Sequence, residues 1–326
     1  MKACIYGAGA IGGWIGAGLA RVGVSLSVVA RGATLQALQT HGLRIEQGGE
    51  QHSLPVQASA SPAELGVQDL VVIAVKAPAL VEVARQIAPL IGPDTVVLTA
   101  MNGVPWWFLQ GFGGGLSGTR LQSVDPTGEI TAAIPASQVL GCVVHASCSL
   151  NGPGHVKHHF GNGLIIGEPA GGISPRTEAL LGLLLKAGFQ ASASVQIQRD
   201  VWYKLWGNMT VNPVSALTGA TTDLILGDPQ VRDFISAVMR EAKAIGEHIG
   251  IPIDQQPEDR HQVTLKLGAF KTSMLQDVEA RRSVELEALV GAVRELGQLA
   301  GVATPFTDAL LGLARLQAQT LGLYPR

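Results

Sequence analysis

The sequence predicts an N-terminal α/β domain, built on a mostly parallel sheet with an antiparallel extension, and then an all-α C-terminal domain. Three observations predict it. Short apolar runs alternate with helical patterns through the first 197 residues. A glycine-rich turn lies between the first apolar run and the first helical pattern, where a doubly wound α/β domain places its phosphate-binding turn. From Gln198 onward the strand signals stop and apolar residues recur at helical spacing. The expected domains are 1–197 and 198–326.

Composition agrees with two packed cores. The chain has 326 residues, of which 47% are hydrophobic and 15% charged, too apolar for a disordered chain. A net charge of −2 gives no general attraction to nucleic acid or an anionic membrane. The apolar runs stop short of the roughly 20 residues a membrane span needs. Cys4, Cys142 and Cys148 show no metal-ligand spacing, and so sparse a set fits a reducing compartment. The N-terminus enters a strand at once, without a signal peptide pattern. A soluble, cytoplasmic protein is expected, with a small-molecule ligand and neither nucleic acid nor membrane as partner.

The elements follow in order. Lys2–Tyr6 is a strand, Gly7-Ala-Gly9-Ala10-Ile11-Gly12 is the turn, and the helical pattern runs on through Trp14, Ile15 and Leu19 to Gly23. Val24–Ala30 is the second strand. Strand, glycine turn, helix and strand is the order of a Rossmann-type dinucleotide site. Gly7 permits the tight turn, Gly9 lets the backbone approach a pyrophosphate, and Gly12 lets the helix pack on the strand. The helix N-terminus, at Ala10 and Ile11, offers N–H groups to the phosphates. An NAD site commonly has an acid at the end of the second strand. This chain has Arg31, a cation and bidentate donor suited to the 2′-phosphate of NADP. Strand Asp69–Val75 ends in Lys76 and strand Val96–Ala100 is followed by Asn102-Gly103. Both lie where strand ends line a ligand crevice. The alternatives are a solvated lysine and a plain turn asparagine.

Trp106-Trp107-Phe108 and the glycines to Gly118 suggest an insertion. Its aromatics would suit an active-site mouth or a subunit contact. Val139–Ser149 and Gly163–Ile166 are expected strands, with a hairpin turn at Asn151-Gly-Pro-Gly. His155, His158 and His159 between them lack zinc-site spacing, and no metal is expected. Helix Arg176–Ala187 and strand Phe189–Gln196 close the first domain.

In the second domain Asp200 is placed to cap a helix carrying Lys204, Asn208 and Asn212. A step of four is close to one turn of about 3.6 residues, so one cation and two amides share a face. A solvated face is the ordinary reading. Against it stand the apolar neighbours Trp202, Leu205, Trp206, Met209 and Val211, and Pro213, which bends or ends a helix. Further helices are expected from Asp228-Pro229, over Pro257–Gly268, Ser273–Ala280 and Ser283–Ala300, and over Thr304–Leu321. Ser273 and Glu285 each lie at a helix start, where capping and dipole roles suffice to explain them.

These residues together resemble the ketopantoate reductases, also called 2-dehydropantoate 2-reductases. The resemblance runs over essentially the whole chain. It rests on Ile5-Tyr-Gly7-Ala-Gly9-Ala-Ile-Gly12, Val75-Lys76, Asn102-Gly103, Lys204-Leu-Trp-Gly-Asn208-Met-Thr-Val-Asn212-Pro213, and Ser273-Met-Leu-Gln-Asp277 followed by Glu285. It implies NADPH-dependent reduction of a 2-oxo acid to a 2-hydroxy acid, most simply ketopantoate to pantoate on the way to pantothenate. It implies Lys204 as general acid, and Asn208, Asn212, Ser273 and Asn102 as substrate-binding residues. Gly7, Gly9, Ala10, Ile11, Gly12, Arg31 and Lys76 would hold the cofactor, with Asn102 and Glu285 near its nicotinamide end. The 106–118 stretch puts the identity of the 2-oxo acid in question. Another 2-oxo acid, or a non-catalytic NADPH-binding sensor, are the alternatives. The aromatic patch and long helices would suit a homodimer as well as a monomer core.

Overall fold

The structure is a computed structural model that describes residues 1–266 and 268–325. The chain divides into two compact units. One comprises Met1–Met101 and Gly128–Ile197, the other Asn102–Thr127 and Gln198–Arg326. The second unit takes the segment after Met101 together with the chain from Gln198 onward.

The first unit is built on a ten-stranded sheet. Its strands are β1 (Lys2–Tyr6), β2 (Ser25–Val29), β3 (Leu43–Gln47), β4 (Glu50–Leu54), β5 (Gln57–Ser59), β6 (Leu70–Ile73), β7 (Val96–Thr99), β8 (Val139–Gly152), β9 (His155–Gly167) and β10 (Gln190–Ala193). They run in the order β4-β3-β9-β8-β7-β6-β1-β2-β5, with β10 also pairing β9. From β5 to β8 every pairing is parallel. The antiparallel extension is the β8–β9 hairpin, whose strands are 14 and 13 residues long and outrun the apolar stretches that suggested them.

The buried faces of β1 and β6 are continuous apolar runs because helices cover a parallel sheet on both sides. Helix Ala10–Arg21 packs Trp14 and Ile15 into this core, and Trp14 meets Phe189 edge-on at 4.8 Å. The cysteines are free, and burial pushes the Cys4 and Cys148 thiols up to about 12. Those thiols stay protonated and unreactive near neutral pH.

The β3–β4 hairpin was not foreseen from the sequence. Gly48 and Gly49, both at positive φ, form its two-residue loop between the paired Gln47 and Glu50.

The second unit is organised on the 22-residue helix Ile197–Thr218. Two expectations are corrected here. Asp200 lies inside the first turn instead of capping it, and Pro213 sits within the helix instead of ending it. A proline deletes one backbone donor, but apolar packing holds the helix on either side of it, through the buried Trp202, Trp206 and Met209 before it and Val214 and Ala216 after it. The Trp206 indole donates to the Met239 carbonyl at 2.7 Å. That carbonyl belongs to helix Pro229–His248, which Asp228 caps by accepting from the Gln230 and Val231 N–H groups.

Helices Thr222–Gly227, Pro257–Leu265, Ser273–Glu279, Ala292–Ala300 and Pro305–Thr320 complete the unit. The expected extension of Pro257–Gly268 runs through Leu267, which lies outside the described residues. No strand occurs among the described residues beyond Gln198. No helix among them is long and apolar enough to cross a membrane.

Trp106, Trp107 and Phe108 are at most 2% exposed, so they are core residues of the second unit. The Phe108 ring lies 6.0 Å from that of Trp202, and its carbonyl accepts from the Gln198 amide at 3.2 Å. Farther along the same segment, Glu295 accepts from the backbone N–H groups of Gln122 and Ser123 at 2.6 and 2.8 Å. These contacts explain why the segment clusters with the helices and not with the sheet.

Candidate functional site

The first unit contains a cavity of about 310 Å³ at the carboxyl ends of β1 and β2, lined by Gly7, Gly9, Arg31, Val75 and Glu82 among others. Its floor is the glycine turn, and each glycine has a physical reason. Gly7 has φ +105, and a Cβ there would lie 2.7 Å from a Val75 methyl. A Cβ on Gly12 would lie 2.2 Å from the Gly7 carbonyl oxygen. Gly9 differs, because a Cβ there would meet nothing within 4 Å. The turn is therefore closed on its protein side and open at Gly9, which leaves a cradle for a phosphate.

Gly9 is also the N-cap of the helix that starts at Ala10 and Ile11. No side chain caps this helix and no acid occupies its first turn. Its first N–H groups and its positive dipole end are thus offered to an anion. These residues fit the pyrophosphate of a dinucleotide. At the end of β2, Arg31 lines the same cavity and pairs with Glu82 of helix Leu80–Gln86. Lys76 follows β6 with its Nζ buried, and it is not among the residues lining this cavity.

The second unit carries the polar cluster. Lys204 and Asn208 are partly buried and Asn212 is 7% exposed, all on one face of helix Ile197–Thr218. Lys204 Nζ donates to Asn102 Oδ1 at 2.8 Å. Asn212 Nδ2 donates to Ser273 Oγ at 3.4 Å. Ser273 is the first residue of its helix and stands exposed. The cap is its neighbour Thr272, which accepts from the Leu275 N–H, so the Ser273 hydroxyl is not occupied by capping.

Asn102 is held by its successor. Gly103 has φ +83, and a Cβ there would lie 2.6 Å from the Ala288 carbonyl oxygen. That oxygen accepts from the Val104 N–H at 2.8 Å. Ala288 belongs to a π-helical turn, Glu287–Gly291, just after Glu285. The Glu285 carbonyl accepts from Leu289 N–H at 3.2 Å. Glu285 thus enters the helix that seats the Asn102 loop. Among the described residues, no group of three or more His, Cys, Asp or Glu side chains is placed to hold a metal ion.

Two residues escaped the sequence reading. Glu82 was invisible because nothing local connects it to Arg31, 51 positions away. Arg260 is the other. Its guanidinium lies 5.8 Å from the Tyr203 ring centroid, and a Cβ on Gly207 would be 2.9 Å from its Nε. Burial lowers its pKa, and glycine at 207 leaves the room it occupies. The one available signal was Gly207 itself, a glycine inside a helical pattern.

Comparison with known proteins places this geometry in a family. The model described as "Ketopantoate reductase PanE/ApbA" matches residues 3–107, and "Ketopantoate reductase PanE/ApbA C terminal" matches 196–318. The 2-dehydropantoate 2-reductase of Mesorhizobium japonicum is 46% identical over 325 residues, covering 99% of this chain and all of that protein. A crystal structure from Ralstonia solanacearum MolK2, ascribed to a ketopantoate reductase, superposes with a TM-score of 0.94 at 59% identity and 99% coverage of both chains. A D-mandelate dehydrogenase complex with NADH and anilino(oxo)acetate superposes with a TM-score of 0.84, covering 99% of this chain and all of that one. At 22% identity this likeness speaks for the fold alone. The chain belongs to the ketopantoate reductase family.

Proposed function

We propose that the chain is an NADPH-dependent reductase that converts a 2-oxo acid to a 2-hydroxy acid, with 2-dehydropantoate as substrate and pantoate as product. The observation that carries this reading is the Lys204–Asn102 hydrogen bond, which holds a cation on the shared face with Asn208 and Asn212. The 46% identity to a 2-dehydropantoate 2-reductase over the full chain supports the choice of substrate.

When bound, NADPH supplies the hydride that reduces the ketone carbon. The ketone oxygen gains negative charge as this happens and ends by taking a proton. The Lys204 ammonium stabilises that charge and then donates the proton from Nζ. Asn102 Oδ1 takes one of the three ammonium hydrogens and so directs the other two. Asn208 and Asn212 are neutral donors for the substrate's oxygens. Asn212 also donates to Ser273 Oγ, which leaves the Ser273 hydroxyl hydrogen for the substrate carboxylate. Gly7, Gly9, Ala10, Ile11 and Gly12 would hold the pyrophosphate, through the backbone N–H groups that the turn and helix start offer. Arg31 would bind the 2′-phosphate, and Lys76, whose Nζ is buried off the cavity lining, would add positive charge only from farther away. Asn102 and Glu285 would hold the nicotinamide end.

A panel of 2-oxo acids tests the substrate assignment, followed as loss of NADPH absorbance. We expect kcat/KM for 2-dehydropantoate to exceed that for pyruvate and phenylglyoxylate by about 100-fold or more, the scale of discrimination a site gains by pairing its polar groups with the right substrate. Faster turnover of an aromatic 2-oxo acid would move the assignment to that acid and leave the reductase chemistry standing.

A further inference from the structure

The Arg31–Glu82 pair bears on cofactor choice in a way that the glycine turn does not. Both side chains line the cavity at the end of β2, and both are substantially exposed there, 66% and 46%. The pair is thus reachable from the cavity and is not a sealed structural contact. Arg31 pairs with Glu82, and Glu82 sits on helix Leu80–Gln86, whose Gln86 also lines the cavity and accepts from the Tyr6 hydroxyl at 3.4 Å. The charge of Glu82 is felt within the cavity. Burial first, and Glu82 second, raise the Tyr6 pKa, while Arg31 opposes them.

We propose that Glu82 sets cofactor preference by competing with the 2′-phosphate of NADPH for the Arg31 guanidinium. The inference rests on the reading that Arg31 receives that phosphate. A guanidinium can bind a phosphate bidentately, but the carboxylate already on it takes part of the same fork. The phosphate must therefore displace Glu82 from part of that fork, and once bound it has a second anion as a neighbour in the exposed cavity. NADH has no 2′-phosphate and meets neither cost. Its ribose hydroxyl is instead a donor that a carboxylate can accept. Glu82 accordingly weakens NADPH and leaves NADH unharmed, which narrows the preference that Arg31 alone would impose.

The test is direct binding of NADP⁺ and NAD⁺ to the whole chain, by calorimetric titration, for wild type, Glu82→Gln and Arg31→Gln. Glu82→Gln keeps the shape of the side chain and removes its charge. We expect it to tighten NADP⁺ by about tenfold, the effect of one screened like-charge contact, and to leave NAD⁺ unchanged or weaker. The NADP⁺ gain should shrink in high salt. A role confined to stability would shift both nucleotides alike and would overturn the proposal. So would NADP⁺ affinity that is unchanged or weaker in Glu82→Gln while Arg31→Gln still loses NADP⁺. If Arg31→Gln binds NADP⁺ as wild type does, the underlying assignment of Arg31 fails instead, and the two failures are told apart.

Discussion

Lys204 and Asn102 are 102 positions apart, and their hydrogen bond is the contact on which the proposed proton transfer depends. A lysine side chain has four rotatable carbons and loses much rotamer freedom when it is held in one place. Asn102 Oδ1 supplies a fixed acceptor, so the direction of the ammonium is set before substrate arrives. Asn102→Ala removes that acceptor and leaves the charge. Its expected effect is a fall in kcat of about 10- to 100-fold, in line with losing the orientation of a catalytic acid. Asn102→Asp keeps an acceptor but adds a negative charge, which stabilises the protonated lysine and makes it a weaker acid. The basic limb of its pH–rate profile should therefore move upward. Steady-state kinetics over a range of pH check both variants, and an unmoved limb in Asn102→Asp would show that the amide does not act on Lys204.

At the scale of elements, the loop after β7 is seated by one glycine. Gly103 adopts φ +83, and its Cα approaches the Ala288 carbonyl closely enough that a methyl group would sit 2.6 Å from that oxygen. Gly103→Ala combines a backbone conformation that L-residues avoid with a steric clash against backbone. It should cost about 2 kcal/mol or more of stability, measurable by urea unfolding, and it should lower kcat through the displaced Asn102. Local patterns such as strand, glycine turn and helix were legible in the sequence because their causes lie within a few residues. Gly7, Gly9 and Gly12 are of that kind. The β3–β4 hairpin has an equally local cause, Gly48-Gly49 between the alternating residues Leu43 and Ile45 on one side and Leu54 on the other. The caps expected at Asp200 and Ser273 were misplaced for a different reason. Helix ends shift by a residue or two according to tertiary packing, and a polar residue near an end looks like a cap from sequence alone.

At the scale of the whole molecule, the division into an α/β unit and a helical unit follows from the change of hydrophobic period near Gln198. The allegiance of residues 102–127 does not. Their place depends on contacts of Phe108 with Trp202 and of Glu295 with Gln122 and Ser123, 94 to 173 positions away along the chain, and periodicity carries no information about such pairs. The same limit applied to the site. The shared face of Lys204, Asn208 and Asn212 was legible from a four-residue spacing, and Asn102 from its place at a strand end. The joining of Asn102 to Lys204 and of Asn212 to Ser273 came from the fold. The account gives the phosphates of the nucleotide to residues of the first unit and the proton to Lys204 in the second, so one substitution should separate binding from chemistry. The decisive measurement is Lys204→Ala, assayed for NADPH oxidation with 2-dehydropantoate and for NADPH affinity by direct titration. The account predicts a loss of kcat of about 100- to 10,000-fold, the contribution typical of a positioned general acid, with NADPH affinity within about twofold of wild type. A variant that keeps its rate, or a wild-type protein that binds NADPH and turns over no 2-oxo acid, would contradict it.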